Sequence, residues 1–223
     1  MRKWGILITL FYVLVLLVLL LPAAIFLSGS LSSSSELFKA LRDVSSEWLL
    51  WLPIAVLVAG EALLLFISVD TSQKRLKPRS HVLVSVTVTA LLLGLLTLAV
   101  VFCVGSAIKG DKFGGTYLES TAQVLGCWLL LWILWFFIFY GYARNSSPIV
   151  TRALSWLLKG SVLEILVAVP CHIIVRRRQD CSAPVVTSFG ITTGLAIMLL
   201  SFGPSILLLY KKRLDAYPPP KPL

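Results

Sequence analysis

Two acidic residues stand where an ionised side chain is costly. Glu61 lies in Ala59-Gly60-Glu61-Ala62, near the middle of an apolar run, and Glu164 lies inside a second such run. A carboxylate surrounded by hydrocarbon must be neutralised, paired or turned toward a wet interior. Those are the states from which a membrane protein handles protons or cations. The plainer alternative is a protonated or hydrogen-bonded carboxyl that joins helices. Lys159 precedes Glu164 by five residues, about 140° around a helix, so the two share no face and any partner for Glu164 comes from elsewhere.

A second constellation is Cys171-His172, followed by Arg176-Arg177-Arg178 and then by Asp180-Cys181. Thiolate and imidazole ligate zinc, copper or iron, and nearby arginines favour the thiolate. The spacing is not a C-x2-C pair and no fourth ligand is evident. A Cys171–Cys181 disulfide and unpaired packing cysteines therefore compete with a metal or thiol-redox centre. The three arginines fit a phosphate, a carboxylate or a lipid headgroup, with cytoplasmic anchoring as the alternative.

A third pattern concerns packing. Trp128, Trp132, Trp135, Phe139 and Tyr142 follow steps of four, three, four and three, so they line one helix face. That face can stack on a flat ligand, but packing against lipid or a partner helix is the favoured reading. Gly190 and Gly194 form a GxxxG pattern that lets two helices approach closely, within the chain or between chains. The two histidines, His81 and His172, fall at opposite membrane faces, which excludes a bis-histidine haem. No P-loop, H-E-x-x-H, G-x-S-x-G or dinucleotide fingerprint is present, and no acidic cluster suits a divalent metal. No cofactor is expected, and catalysis is not the leading reading.

The elements that must position these residues follow from composition. Charged residues make up 13% of the chain and hydrophobic ones 58%, against about 25% charged in a soluble domain. Long uncharged runs at 4–27, 48–69, 82–105, 124–142 and 185–210 are each sufficient to span about 30 Å of hydrocarbon as a helix. A sixth, 155–175, is doubtful because it carries Lys159, Glu164, Pro170 and His172. The fold class is therefore all-α: a polytopic transmembrane bundle with short loops, five crossings secure and six favoured. One such domain covers 1–214, and a proline-rich, polyproline-like tail at 215–223 lies on the cytoplasmic side. The run after Arg2-Lys3 is too long for a secretory core and reads as a retained first helix.

Orientation follows the basic residues. Arg2 and Lys3, then Lys74, Arg75, Lys77 and Arg79, then Arg144 and Arg152 fall on alternate connections, which places the N-terminus in the cytoplasm. Six crossings put all four cysteines, Cys103, Cys127, Cys171 and Cys181, toward the oxidising side. The net charge of +10 is clustered at the ends of apolar runs, which points to anionic lipid rather than nucleic acid. In the first outer loop, Ser33 and Glu36 have capping-box spacing ahead of Leu37, Phe38, Leu41 and Val44, as in a short helix resting on the membrane surface.

The leading expectation is a non-catalytic subunit or scaffold of the cell (inner or plasma) membrane, packing against other membrane subunits or itself within the bilayer. The first alternative is a small transporter or channel using Glu61 and Glu164. The second is a thiol-redox or metal-dependent membrane enzyme built on Cys171, His172 and Cys181.

Overall fold

In the computed structural model the described residues are 2–28, 42, 48–70, 79–113, 121–143 and 149–216. They form α1 (Arg2–Val15), a π-helical segment (Leu16–Leu20), α2 (Leu21–Ser28), α3 (Trp48–Asp70), α4 (Arg79–Lys109), α5 (Thr121–Ala143), α6 (Ile149–Arg177) and α7 (Ala183–Ala216). No strand occurs among the described residues. Apolar runs of this length have one economical solution in lipid, a helix that satisfies its own backbone. The protein is a helical membrane bundle.

Five stretches are long and apolar enough to cross: Ile6–Ile25, Leu83–Lys109, Ala122–Tyr142, Thr151–Arg177 and Ala183–Phe202. In α3 the apolar stretch among the described residues is shorter, Trp51–Leu65. The segment that looked doubtful in the sequence is thus a continuous helix of 29 residues, with Pro170 inside it. Its polar groups explain the doubt and its resolution together. Ser161, Glu164 and His172 are buried against neighbouring helices, so lipid never meets them. Lys159 is exposed, and its long stem lets the ammonium reach toward the interface. Helix α7 runs unbroken through Gly203-Pro204. The surface helix after Ser33, the basic residues 74–77 and the proline-rich tail lie outside the described residues.

Point contacts fix the directions of the central helices. Gly160 of α6 packs on Leu93 and Leu96 of α4, while Arg178, just beyond α6, reaches Ala107 near the end of α4. Helices α4 and α6 therefore run parallel. Helix α7 is antiparallel to both, since Gly194 meets Glu164, Thr187 meets His172 and Gly190 meets Cys103. Helix α4 touches α3, α5, α6 and α7, and α7 touches α2, α3, α4 and α6. These two form the middle of the bundle, with Leu92, Leu157, Ile197 and Leu200 fully buried around them.

Helix α5 lies outside that middle and packs on α4 through its aromatic face. Indole N–H groups need an acceptor where water is absent. Trp128 Nε1 donates to the Leu91 carbonyl (3.4 Å), Trp132 Nε1 to the Thr87 carbonyl (3.3 Å) and Trp135 Nε1 to Thr97 Oγ1 (3.4 Å). Phe139 is buried edge-on against Trp156 of α6, whereas Tyr142 is exposed and carries Arg152 over its ring at 5.4 Å. The helices come close because α4 has no side chain at Gly94. A Cβ there would lie 3.2 Å from the backbone nitrogen of Trp132. The opposite face of α5, including Leu130 and Phe137, is exposed.

Gly94→Val should force α5 off α4 and cost about 1–3 kcal/mol, read as a lower thermal midpoint in detergent. Gly126→Ala, which has nothing within 4 Å of the added carbon, should leave that midpoint unchanged.

Candidate functional site

Glu164 is 1% exposed and sits where α7 has lost two side chains. A Cβ on Gly194 would overlap its Oε2 and lie 2.8 Å from its Cδ and 2.9 Å from Ile165 Cγ1. A Cβ on Gly190 would overlap Cys103 Sγ and lie 3.5 Å from Glu164 Oε1. Each glycine thus admits a different neighbour: Gly194 receives the carboxyl of α6, and Gly190 receives the thiol of α4. The GxxxG pair is spent inside the chain. Both Glu164 oxygens are buried without a hydrogen-bond partner among the described residues. The carboxyl rests on glycine backbone, where only weak Cα–H···O contact is on offer.

Glu61 is also 1% exposed, and its Oε2 is buried without a hydrogen-bond partner among the described residues. Gly60 beside it packs on Val88 and Leu92, which draws α3 against α4. Tyr12 of α1 lies within electrostatic reach of Glu61, and its hydroxyl donates to the Ala196 carbonyl at 2.9 Å. Gly194 and Ala196 are two residues apart on α7, a rise of about 3 Å. Glu164 therefore seats against α7, Glu61 is buried on α3, and neither faces lipid.

The cysteine–histidine constellation is not assembled as one centre. Cys171 lies on the inner face of α6 with Ala168 and Val175, in the same small core as Cys103 and Ala107 of α4. Cys181 is exposed beyond the helix end, and all four cysteines are free thiols. No group of three metal-ligating side chains occurs among the described residues. The disulfide and metal alternatives both need Cys171 and Cys181 to converge, whereas Cys171 is buried with Ala168 and Val175 and Cys181 is exposed. His172 instead turns to α7, with Nδ1 2.8 Å from Thr187 Oγ1. That hydroxyl also lies 3.2 Å from the carbonyls of Ala183 and Pro184. With one proton, the hydroxyl either donates to one of those carbonyls and accepts from the imidazole or donates to the imidazole, according to the ring's tautomer.

The three arginines divide less sharply. All three are exposed, and Arg178 in addition donates to the Ala107 carbonyl at 2.5 Å and so closes the C-terminal end of α4. The reciprocal contact involves Asp111, which follows α4. Its Oδ1 accepts from the backbone of Ser182 (2.8 Å) and Ala183 (3.1 Å) and from Ser182 Oγ (3.0 Å), and its Oδ2 accepts from the Cys181 backbone (2.8 Å). These are the orphan donors at the start of α7, and a carboxylate is their natural cap. The bonds from Cys181, Ser182 and Ala183 hold the Asp111 carboxyl below its ordinary value of 3.8, at about 2. Gly110 makes the turn with φ +61°, a conformation that favours glycine. Neither Asp111 nor this use of Arg178 is visible in the sequence pattern, because the partners are some 70 residues apart.

Comparison with protein-family models, with curated proteins and with solved structures finds no match.

Gly194→Ala should destabilise the bundle by about 3 kcal/mol, and Glu164→Ala in that background should recover part of the loss; a thermal double-mutant cycle measures it. For Asp111 the depressed carboxyl sets the sign. Its contribution is complete above pH 3.8 and is lost as pH falls through about 2. The thermal midpoint of the parent should therefore fall more steeply than that of Asp111→Asn over this window.

Proposed function

We propose that this chain is a small proton-handling transport protein of the cell (inner or plasma) membrane, with Glu164 and Glu61 as the groups that take up and release protons. The observation that carries this reading is the pair of carboxyls buried inside the bundle, with buried oxygens for which the described residues offer no hydrogen bond. An anion left in that state would cost several kcal/mol. Each acid therefore holds its proton while the bundle is closed and can lose it when water or a cation reaches it. Transport of this kind asks for no bond-breaking machinery. Substrate identity is set by whatever shares the path to these acids.

The geometry supports a particular moving part. Helix α7 packs on α3, α4 and α6, and its glycine notches receive the Glu164 carboxyl of α6 and the Cys103 thiol of α4. A small displacement of α7 away from α6 would uncover the Glu164 carboxyl seated at Gly194. The arrangement has six crossings with a cytoplasmic N-terminus. The parallel course of α4 and α6 supports it, since Lys109, Lys112 and Arg176–Arg178 then share the outer end, where the six-crossing reading of the sequence puts them.

A second reading is a non-catalytic subunit, and one observation favours it. Helix α5 packs by one face alone and turns Leu129, Leu130, Ile133, Leu134 and Phe137 outward. A partner helix could cover that stripe as readily as lipid. Extraction of native membranes in mild detergent decides it: a complex of fixed stoichiometry supports the subunit, and recovery of the chain alone removes it.

The transport reading is tested in proteoliposomes with an entrapped pH-sensitive dye and an imposed potassium potential. The parent should acidify or alkalinise the lumen, and Glu164→Gln and Glu61→Gln should each reduce the rate at least tenfold. A hydrophobic carbodiimide should label Glu164 or Glu61 in the parent, located by peptide mass. A parent that neither moves protons nor takes the label would sink the proposal.

A further inference from the structure

The reciprocal contacts of Asp111 and Arg178 bring together two groups of cations that the sequence keeps 64 residues or more apart. Lys109 and Lys112 stand at the end of α4, and Arg176 and Arg177 at the end of α6; all four side chains are exposed. With Arg178 this end carries five cations among the described residues, against the two acids Asp111 and Asp180. Asp111 is committed to the backbone of α7, and Asp180 lies against Gly110. Arg178 is committed to the Ala107 carbonyl. Exposed cations from two helix ends thus meet at one rim.

The surroundings specify what this rim faces. Ile108 on α4 and Ile173 and Ile174 on α6 are exposed, 71%, 48% and 42% respectively, within about one turn of the cations. Exposed isoleucines directly beneath a belt of guanidinium and ammonium groups mark the level where acyl chains give way to headgroups. A soluble anion has no use for that apolar ledge.

We propose that the paired ends of α4 and α6 form one binding site for the phosphate of an anionic phospholipid. Arg176 and Arg177 are its principal donors, through planar forks matched to phosphate oxygens, and Lys109 and Lys112 form the opposite wall. The acyl chains lie along Ile108, Ile173 and Ile174. Because the same clasp holds α4, α6 and α7, an occupied site bridges two of the helices around Glu164, but the proposal does not depend on the transport reading.

The test uses the full chain in neutral detergent, titrated with phosphatidylglycerol or with phosphatidylcholine of the same acyl chains and followed by native mass spectrometry. Phosphatidylglycerol should bind and phosphatidylcholine should not at the same concentration. Arg176→Gln/Arg177→Gln should weaken phosphatidylglycerol binding about 25-fold, roughly fivefold per arginine. The double variant should keep the parent's thermal midpoint in lipid-free detergent, since both side chains are exposed. Lys109→Gln/Lys112→Gln should weaken binding in the same direction. Equal affinity for the two lipids, or a double arginine variant that binds phosphatidylglycerol like the parent, overturns the site. If millimolar inorganic phosphate raises the midpoint of the lipid-free parent as much as phosphatidylglycerol does, the rim serves a soluble anion and the headgroup assignment fails.

Discussion

Hydrocarbon offers a polar side chain no water to fall back on, and the interior of this bundle is arranged around that restriction. Hydroxyls turn back onto their own helix: Thr89 bonds the Ser85 carbonyl, Thr192 that of Ser188 and Ser201 that of Ile197. Indoles of α5 reach across to α4, and the Tyr12 phenol reaches across to α7. Ser85 and Ser106 leave hydroxyls without a partner among the described residues, and Glu61 and Glu164 leave carboxyl oxygens so, which are the costlier exceptions. A membrane protein with no further use for an acid can replace it by glutamine or leucine at little cost to packing. Carboxyl oxygens of Glu61 and Glu164 find no hydrogen bond among the described residues, which is costly inside a bundle.

Glycine makes this arrangement possible by a different route at each site. Gly94 brings two backbones together, and Gly60 brings two helices into side-chain contact. Gly190 and Gly194 do something less usual, since their missing side chains are replaced by a thiol and a carboxyl from two other helices. Close packing in lipid depends on dispersion more than on expelled water, so such notches carry much of the association energy. The buried carboxyl and the close helix contact consequently share the same few positions on α7.

The sequence made the helices legible because length and the absence of charge suffice to identify them. The aromatic stripe of α5 was legible through its step of three and four, but its partner was not, since no pattern in α4 marks Thr87, Leu91 or Thr97 as acceptors. Helix α6 looked doubtful because its polar residues were counted and not placed. Ser161, Glu164, Ala168, Cys171 and Val175 recur at steps of three and four, so the signal of an inward polar face was present in the spacing. The Asp111 cap and the Arg178 contact were beyond reach, because long-range pairing leaves no periodicity. A Cys171–Cys181 pairing suggested itself from separation along the chain, which says nothing about the turn of helix that points the first thiol inward.

The wide π-helical segment in the first helix has its own consequence. Tyr12, Leu16, Leu20 and Ala24 are all buried, a spacing of four that would creep around an ordinary α-helix by about 40° at each step. The segment Leu16–Leu20, closed by the bond from the Leu21 amide to the Leu16 carbonyl, takes in one additional residue and cancels much of that drift. The phenol that touches α7 and the alanine three turns later thus keep to one seam. The stretch reads Leu-Leu-Val-Leu-Leu, and its near-uniform side chains give no chemical landmark that pins the surplus residue to one place. A single deletion anywhere in that stretch would return the helix to its common pitch and rotate everything before it, Tyr12 included, relative to everything after.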